Sequence, residues 1–117
     1  MEFPQTHPEN TSKIEILPGA QPDLSAATYV LHHETHTLGN ALRWILTKNP
    51  KVEFCGYSVP HPSEPKIHLR IQMYDNLSSL DALIEALDNL DKLCEAIGEA
   101  YEQSLASNDY EKFKERL

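Results

Sequence analysis

The sequence predicts an α+β domain in the order β-β-α-β-β-α: a four-stranded antiparallel sheet with two helices on one face, the C-terminal helix long. Three observations predict it. Ile67, Leu69, Ile71 and Met73 alternate with His68, Arg70 and Gln72, the period of a half-buried strand. Ala26 to His33 is a second β-rich run, with Ala27, Tyr29 and Leu31 on one side and Thr28, Val30 and His32 on the other. Two further stretches, one after each half of the strand set, repeat their apolar residues at helical spacing.

Residues 1–12 carry Pro4 and Pro8 and no apolar period, and are expected to form a disordered tail. The domain proper is expected over residues 13–106. Lys13 to Leu17 alternates briefly as a short first strand, and Pro18-Gly19 and Pro22-Asp23 break the chain into a loop. Ala26 to His33 follows as the second strand. The first helix opens at His36-Thr37-Leu38-Gly39-Asn40-Ala41-Leu42-Arg43-Trp44-Ile45-Leu46, with Thr37 as the expected N-cap and Thr35 as the alternative. At 100° per residue Trp44, Ala41, Ile45, Leu38, Leu42 and Leu46 fill an arc of roughly 200°, wider than the stripe of about 100° that one core needs. Gly39, Asn40, Arg43 and Thr47 hold the remaining side. So wide an arc implies two contacts, the helix's own sheet and a second chain. Asn49-Pro50 ends the helix, because the residue before proline avoids helical geometry.

Lys51 to Val59 reads as the third strand, Pro60, Pro62 and Pro65 as a loop, and Ile67 to Met73 as the fourth strand. The alternation there implies one wet sheet face and one covered by helices. Ser78 or Ser79 caps the second helix, and Ser78-x-x-Asp81 has the spacing of a capping box. Leu80, Leu83, Ile84, Leu87, Leu90, Leu93, Cys94, Ile97, Tyr101 and Leu105 again cover roughly 200°. A helix from 79 to about 105 is about 40 Å long, against about 27 Å for an eight-residue strand. It therefore overhangs its sheet, and the overhang is apolar. Gly98 costs about 1 kcal/mol against Ala inside a helix, which reads either as close approach of a neighbouring helix over Cys94 and Gly98 or as a tolerated weak spot. Residues 107–117 are expected as a C-terminal extension, helical or frayed.

A chain of 117 residues is expected to be a single domain. No run reaches the roughly 18 apolar residues of a membrane span, and the N-terminal stretch has neither a signal-peptide nor a transit-peptide pattern, so the expectation is a soluble intracellular protein. Cys55 and Cys94 lie far apart and outside any CxxC pair, the pattern of two reduced, buried cysteines. The net charge is −8, with residues 75–117 contributing −7 of it. So acidic a C-terminal half argues against direct duplex binding, which is driven mainly by Lys and Arg at phosphates. It suits a solvated helix face or contact with a basic protein surface.

Few residues offer chemistry. His32, His33 and His36 cluster, but His33-Glu34-Thr35-His36 is one residue short of the His-Glu-x-x-His that lets two imidazoles share a metal. Polar strand-end histidines are the ordinary reading. Gly39 and Gly56 are isolated, with no phosphate-cradling glycine motif, and no serine sits in a nucleophile elbow. Arg43 reads equally as a surface side chain with a packed stem and as a hydrogen-bonding anchor for a partner.

The run His36-Thr37-Leu38-Gly39-Asn40-Ala41-Leu42-Arg43 closely resembles the alpha motif of cellular RNA polymerases, the helix start of the alpha dimerisation-domain family. Lys48 to Tyr57, His61 to Glu64 and Lys66 to Gln72 make the chain similar to the small alpha-like subunits shared by eukaryotic RNA polymerases I and III, over roughly residues 26–106. The resemblance implies a non-catalytic assembly subunit without cofactor or metal. It would pair helix to helix with a larger alpha-like subunit, the pair being the platform for the two large catalytic subunits. It also implies a nuclear location, nucleolus included, and no specific nucleic-acid or membrane contact. Thr37, Leu38, Gly39, Asn40, Leu42 and Arg43 match the motif. Where bacterial alpha commonly has a second arginine this chain has Trp44, so docking to the second-largest subunit through that place is not implied, and Trp44 is expected to be buried. The partner surface is expected to comprise these residues with Leu87, Leu90, Cys94, Ile97 and Tyr101. Two alternatives stand beside it. One is a homodimeric binding module of the same fold. The other rests on the His32-His33 pair, which resembles that of pterin carbinolamine dehydratases, although proline and tryptophan follow the pair in those enzymes.

Overall fold

The computed structural model describes residues 12–115. Apart from Ser12, the tail expected over residues 1–12 lies outside the described residues, as do Arg116 and Leu117 at the other end. The elements are β1 (Ile14–Ile16), β2 (Ala26–His32), α1 (His36–Thr47), β3 (Val52–Ser58), β4 (Lys66–Met73) and α2 (Ser79–Ser107). No described helix is long and apolar enough to cross a membrane.

The sheet is antiparallel throughout, in the order β1-β2-β4-β3. Because β3 lies at the far edge, α1 must carry the chain across the sheet, and it packs over β3 and β4. The register aligns apolar residues on one face: Ile16, Tyr29, Leu69 and Tyr57 form one row across all four strands, and Ala27, Ile71 and Cys55 another. That face, with Leu42 and Leu46 of α1 and Ala82, Leu83 and Ala86 of α2, makes the core. The opposite face carries Thr28, His68, Arg70 and Gln72, all half-buried. Val30 belongs to this second face yet is buried, with Glu15 and His68 beside it across the two ladders.

Thr35, not Thr37, is the N-cap of α1, its hydroxyl accepting from the Thr37 amide at 3.3 Å. The strand exits through His33 in the left-handed region, at φ 57°, which lets the helix begin at His36 and places Thr37 inside the first turn. Ser78 caps α2 and accepts from the Asp81 amide. Ser79, the other capping choice, is instead fully buried; its hydroxyl bonds the Tyr29 hydroxyl at 2.8 Å and donates to the Leu24 carbonyl. Asn108 ends α2 in a left-handed cap at φ 56°, and residues 111–115 carry no regular structure.

Candidate partner interface

The core side of α1 is set by Leu42 and Leu46, fully buried, and by Gly39. A Cβ at Gly39 would lie 2.8 Å from two ring carbons of Tyr57 and 3.2 Å from Ile67 Cδ1, so the helix reaches β3 this closely only with glycine there. Tyr57 is held in turn, its hydroxyl 2.8 Å from His36 Nδ1. Two expectations are corrected here. Gly39 does not belong to the polar side of α1, because it is the point of closest approach to the sheet. Leu42 does not belong to a partner surface, because the chain's own core covers it completely.

The excess of the apolar arc lies on the other flank. Leu38, Ala41 and Ile45 are half-buried and Trp44 is 49% exposed, so its expected burial is not met within this chain. Lys48 Nζ sits 4.5 Å over the Trp44 ring, a cation–π contact one turn along the helix. Arg43 donates to Asn40 Oδ1 at 2.8 Å, which holds both exposed side chains along one ridge. Thr37 is exposed at the helix start.

In α2 the apolar residues recur as Leu80, Leu83, Leu87, Leu90, Cys94, Ile97 and Tyr101, alternately three and four apart. This is the spacing of a helix that packs along a seam. Leu83 is inside the core, and Leu80, Leu87 and Leu90 are partly buried against it. Every residue from Asp91 to Ser107 is exposed, including Ile97 at 60% and Tyr101 at 66%. With 29 residues α2 is about 43 Å long, and its last 25 Å or so have no sheet beneath them. The stripe does not change direction there; the face that packs the core continues into solvent. Ile84 is a further exposed apolar residue, on the flank of that stripe. A Cβ at Gly98 would meet nothing within 4 Å in this chain.

Among the described residues the polar side chains are held singly or in pairs. His32 Nε2 lies 3.3 Å from the Glu15 carboxylate, His36 bonds the Tyr57 hydroxyl, and His33 is exposed, so His32 and His36 are held by different partners. Among the described residues no three metal-ligating side chains converge. Burial pushes the Cys55 thiol up to about 11, with Arg43 partly opposing, and burial also raises the Tyr29 hydroxyl. A protonated, inert thiol is a packing group, not a nucleophile. An open depression of about 260 Å³ between the end of α1 and the start of α2 has Lys48 and Glu85 as its charged lining groups among the described residues.

The family model of the RNA polymerase Rpb3/Rpb11 dimerisation domain matches residues 26–100. DNA-directed RNA polymerases I and III subunit RPAC2 of Schizosaccharomyces pombe is 50% identical over 95 residues, covering 81% of this chain and 76% of that protein. The subunit of the same name from Saccharomyces cerevisiae is 44% identical over 96 residues, covering 81% of this chain and 68% of that one. The fold also matches DNA-directed RNA polymerase subunit L of Thermoplasma acidophilum with a TM-score of 0.67 at 17% identity, over 85% of this chain and 96% of the other. The half-covered helices α1 and α2 thus stand on a domain type whose description is dimerisation, and the chain belongs to the RNA polymerase Rpb3/Rpb11 dimerisation-domain family.

Proposed function

We propose that this chain is a non-catalytic assembly subunit of RNA polymerases I and III. It pairs with a larger alpha-like subunit, and the pair is the platform on which the two large catalytic subunits assemble for transcription of rRNA, 5S rRNA and tRNA. The observation that carries the pairing is the apolar stripe of α2 running past the sheet, from Leu90 through Ile97 and Tyr101. Fully burying side chains of this size is worth about 1.5–3 kcal/mol each, enough for a few of them to hold a partner. The surface we assign is Leu38 and Trp44 of α1 with Leu87, Leu90, Cys94, Ile97 and Tyr101 of α2. Thr37, Asn40 and Arg43 supply hydrogen-bonding groups at its edge. Such a subunit works in the nucleus, nucleolus included. Its acidic C-terminal half suits contact with protein rather than direct contact with nucleic acid.

Leu90 packs partly against the chain's own core, so a charge there would disturb folding as well as pairing. Ile97 and Tyr101 make the cleaner test. Ile97→Asp with Tyr101→Asp, co-expressed with the larger alpha-like subunit, should abolish its recovery in a pull-down while the isolated variant keeps the thermal midpoint of the parent. An undiminished complex would remove this face from the interface. Affinity purification of the tagged chain from cells at native levels should recover both large polymerase subunits, and recovery without them would overturn the assignment.

A further inference from the structure

We infer that the open face of the sheet, turned away from both helices, is a second docking surface, and that Arg70 at its centre takes a carboxylate from an acidic segment of a further protein chain.

Both helices pack on one face of the sheet. The other face holds an open depression of about 450 Å³, lined by Thr28, Gly56, His68 and Arg70, with Leu17 on the β1 side and Phe54 on β3. Arg70 is half-buried in the middle of it. Its neighbours across the two ladders are Thr28 and Gly56. The next residues around it on this face are His68 and Gln72 along β4, Ala26 and Val30 on β2, and Phe54 and Ser58 on β3. None of these is acidic. Glu15, farther off on β1, lies 3.3 Å from His32. Arg70 donates one hydrogen bond, long at 3.4 Å, to the Thr28 hydroxyl, and has no ion pair among the described residues. A guanidinium carries five N–H donors in a planar fork, and charge withdrawn from water is stable when paired. Phe54 supplies an apolar group beside it. This side chain is 51% exposed and leans over Gly56, where a Cβ would lie 3.0 Å from its Cζ.

The sign and number of charges select the occupant. One guanidinium matches one carboxylate, which it binds through two parallel N–H···O bonds. Nucleic acid takes several cations at its phosphates, whereas the flanking Lys13 and Lys66 are already held by Glu34 and Glu64, each at 3.0 Å. The same face of a second copy, brought up across a two-fold axis, would turn guanidinium toward guanidinium. The surface therefore fits an Asp or Glu with an apolar residue beside it, on a loop or strand of a different protein. Because this face points away from α1 and α2, that protein does not compete with a partner on the helices.

The test uses the full chain, tagged and expressed at native level in cells, with photoreactive p-benzoylphenylalanine in place of Phe54. Irradiation should link it to a protein other than the larger alpha-like subunit, at a tryptic peptide that contains Asp or Glu. Arg70→Glu and Arg70→Gln should each lower the yield at least about tenfold while keeping the circular dichroism and thermal midpoint of the parent. Replacing the acid of the linked peptide by Arg should restore the link to the Arg70→Glu chain. A yield indifferent to both Arg70 variants, or no rescue by the exchanged charge, overturns the carboxylate contact. No link, or a link to nucleic acid, to a second copy, to residues 1–11 of the same chain or to the larger alpha-like subunit, overturns the further protein.

Discussion

Gly39 is the tightest point of contact between α1 and the sheet. A methyl there meets two Tyr57 ring carbons at 2.8 Å, and the ring is tethered through its hydroxyl to His36. Overpacking of this kind costs about 1–3 kcal/mol, against about 1 kcal/mol gained by replacing glycine in a helix. Gly39→Ala should therefore lower the thermal midpoint by several degrees, at about 4–8 °C per kcal/mol for a domain of this size; an unchanged midpoint would mean that Tyr57 moves aside freely. Ser79 makes a second single-residue case. Ser79→Ala leaves the buried Tyr29 hydroxyl without its partner and should cost about 1–3 kcal/mol in urea unfolding. Tyr29→Phe should cost less, because Ser79 keeps its bond to the Leu24 carbonyl. Cys55 gives the pH dependence. The unfolded chain loses this thiol proton near 9.0, whereas burial holds it in the folded chain to about 11. The folded state binds more protons in between, so the contribution is intact below pH 9 and falls away as pH rises toward 11. Urea midpoints measured from pH 7 to 11 should decline over that window, and Cys55→Ala should flatten the decline. In native protein a thiol reagent should label exposed Cys94 and spare Cys55.

At the scale of elements, the sequence was most legible where one face decides everything. Ile67, Leu69, Ile71 and Met73 are buried and their neighbours are not, because β4 is central and its period has no competing demand. The start of α1 was less legible. Thr35 and Thr37 are equally good caps in isolation, and the left-handed turn at His33 that decides between them leaves no mark in composition. Ser78 and Ser79 pose the same ambiguity, settled by the depth of the Tyr29 hydroxyl beneath the helix. Gly39 read as polar by position because close approach is a property of two elements, and Tyr57 lies 18 residues away in sequence. Gly98 is the clearest test at this scale. With open space around it in this chain, Gly98→Ala should raise the helicity of the isolated subunit by circular dichroism and stabilise α2 by about 1 kcal/mol. A simultaneous fall in affinity for the larger subunit would identify close approach of the partner's backbone over this position.

At the scale of the molecule, the core ends before the helix does. Leu90 is the last residue of α2 packed against it, so a chain ending after Leu90 should keep its sheet and its cooperative unfolding yet lose the larger alpha-like subunit in a pull-down. The excess apolar surface could be read from residue spacing alone, but its division could not. Leu42 and Trp44 lie in one arc, and only the crossing of α1 over β3 and β4 buries the first and leaves the second half bare. The protruding stripe has a further consequence, for the cell's accounting of parts. If the stripe pairs as proposed, a copy made in excess of its partner has its core packed as far as Leu90 but displays Ile97 and Tyr101 to chaperones and proteases, whereas an assembled copy would hide them. Degradation of the unpaired form would then adjust the level of this subunit to that of its partner, so that the partner's supply, rather than this chain's own rate of synthesis, would fix how much survives.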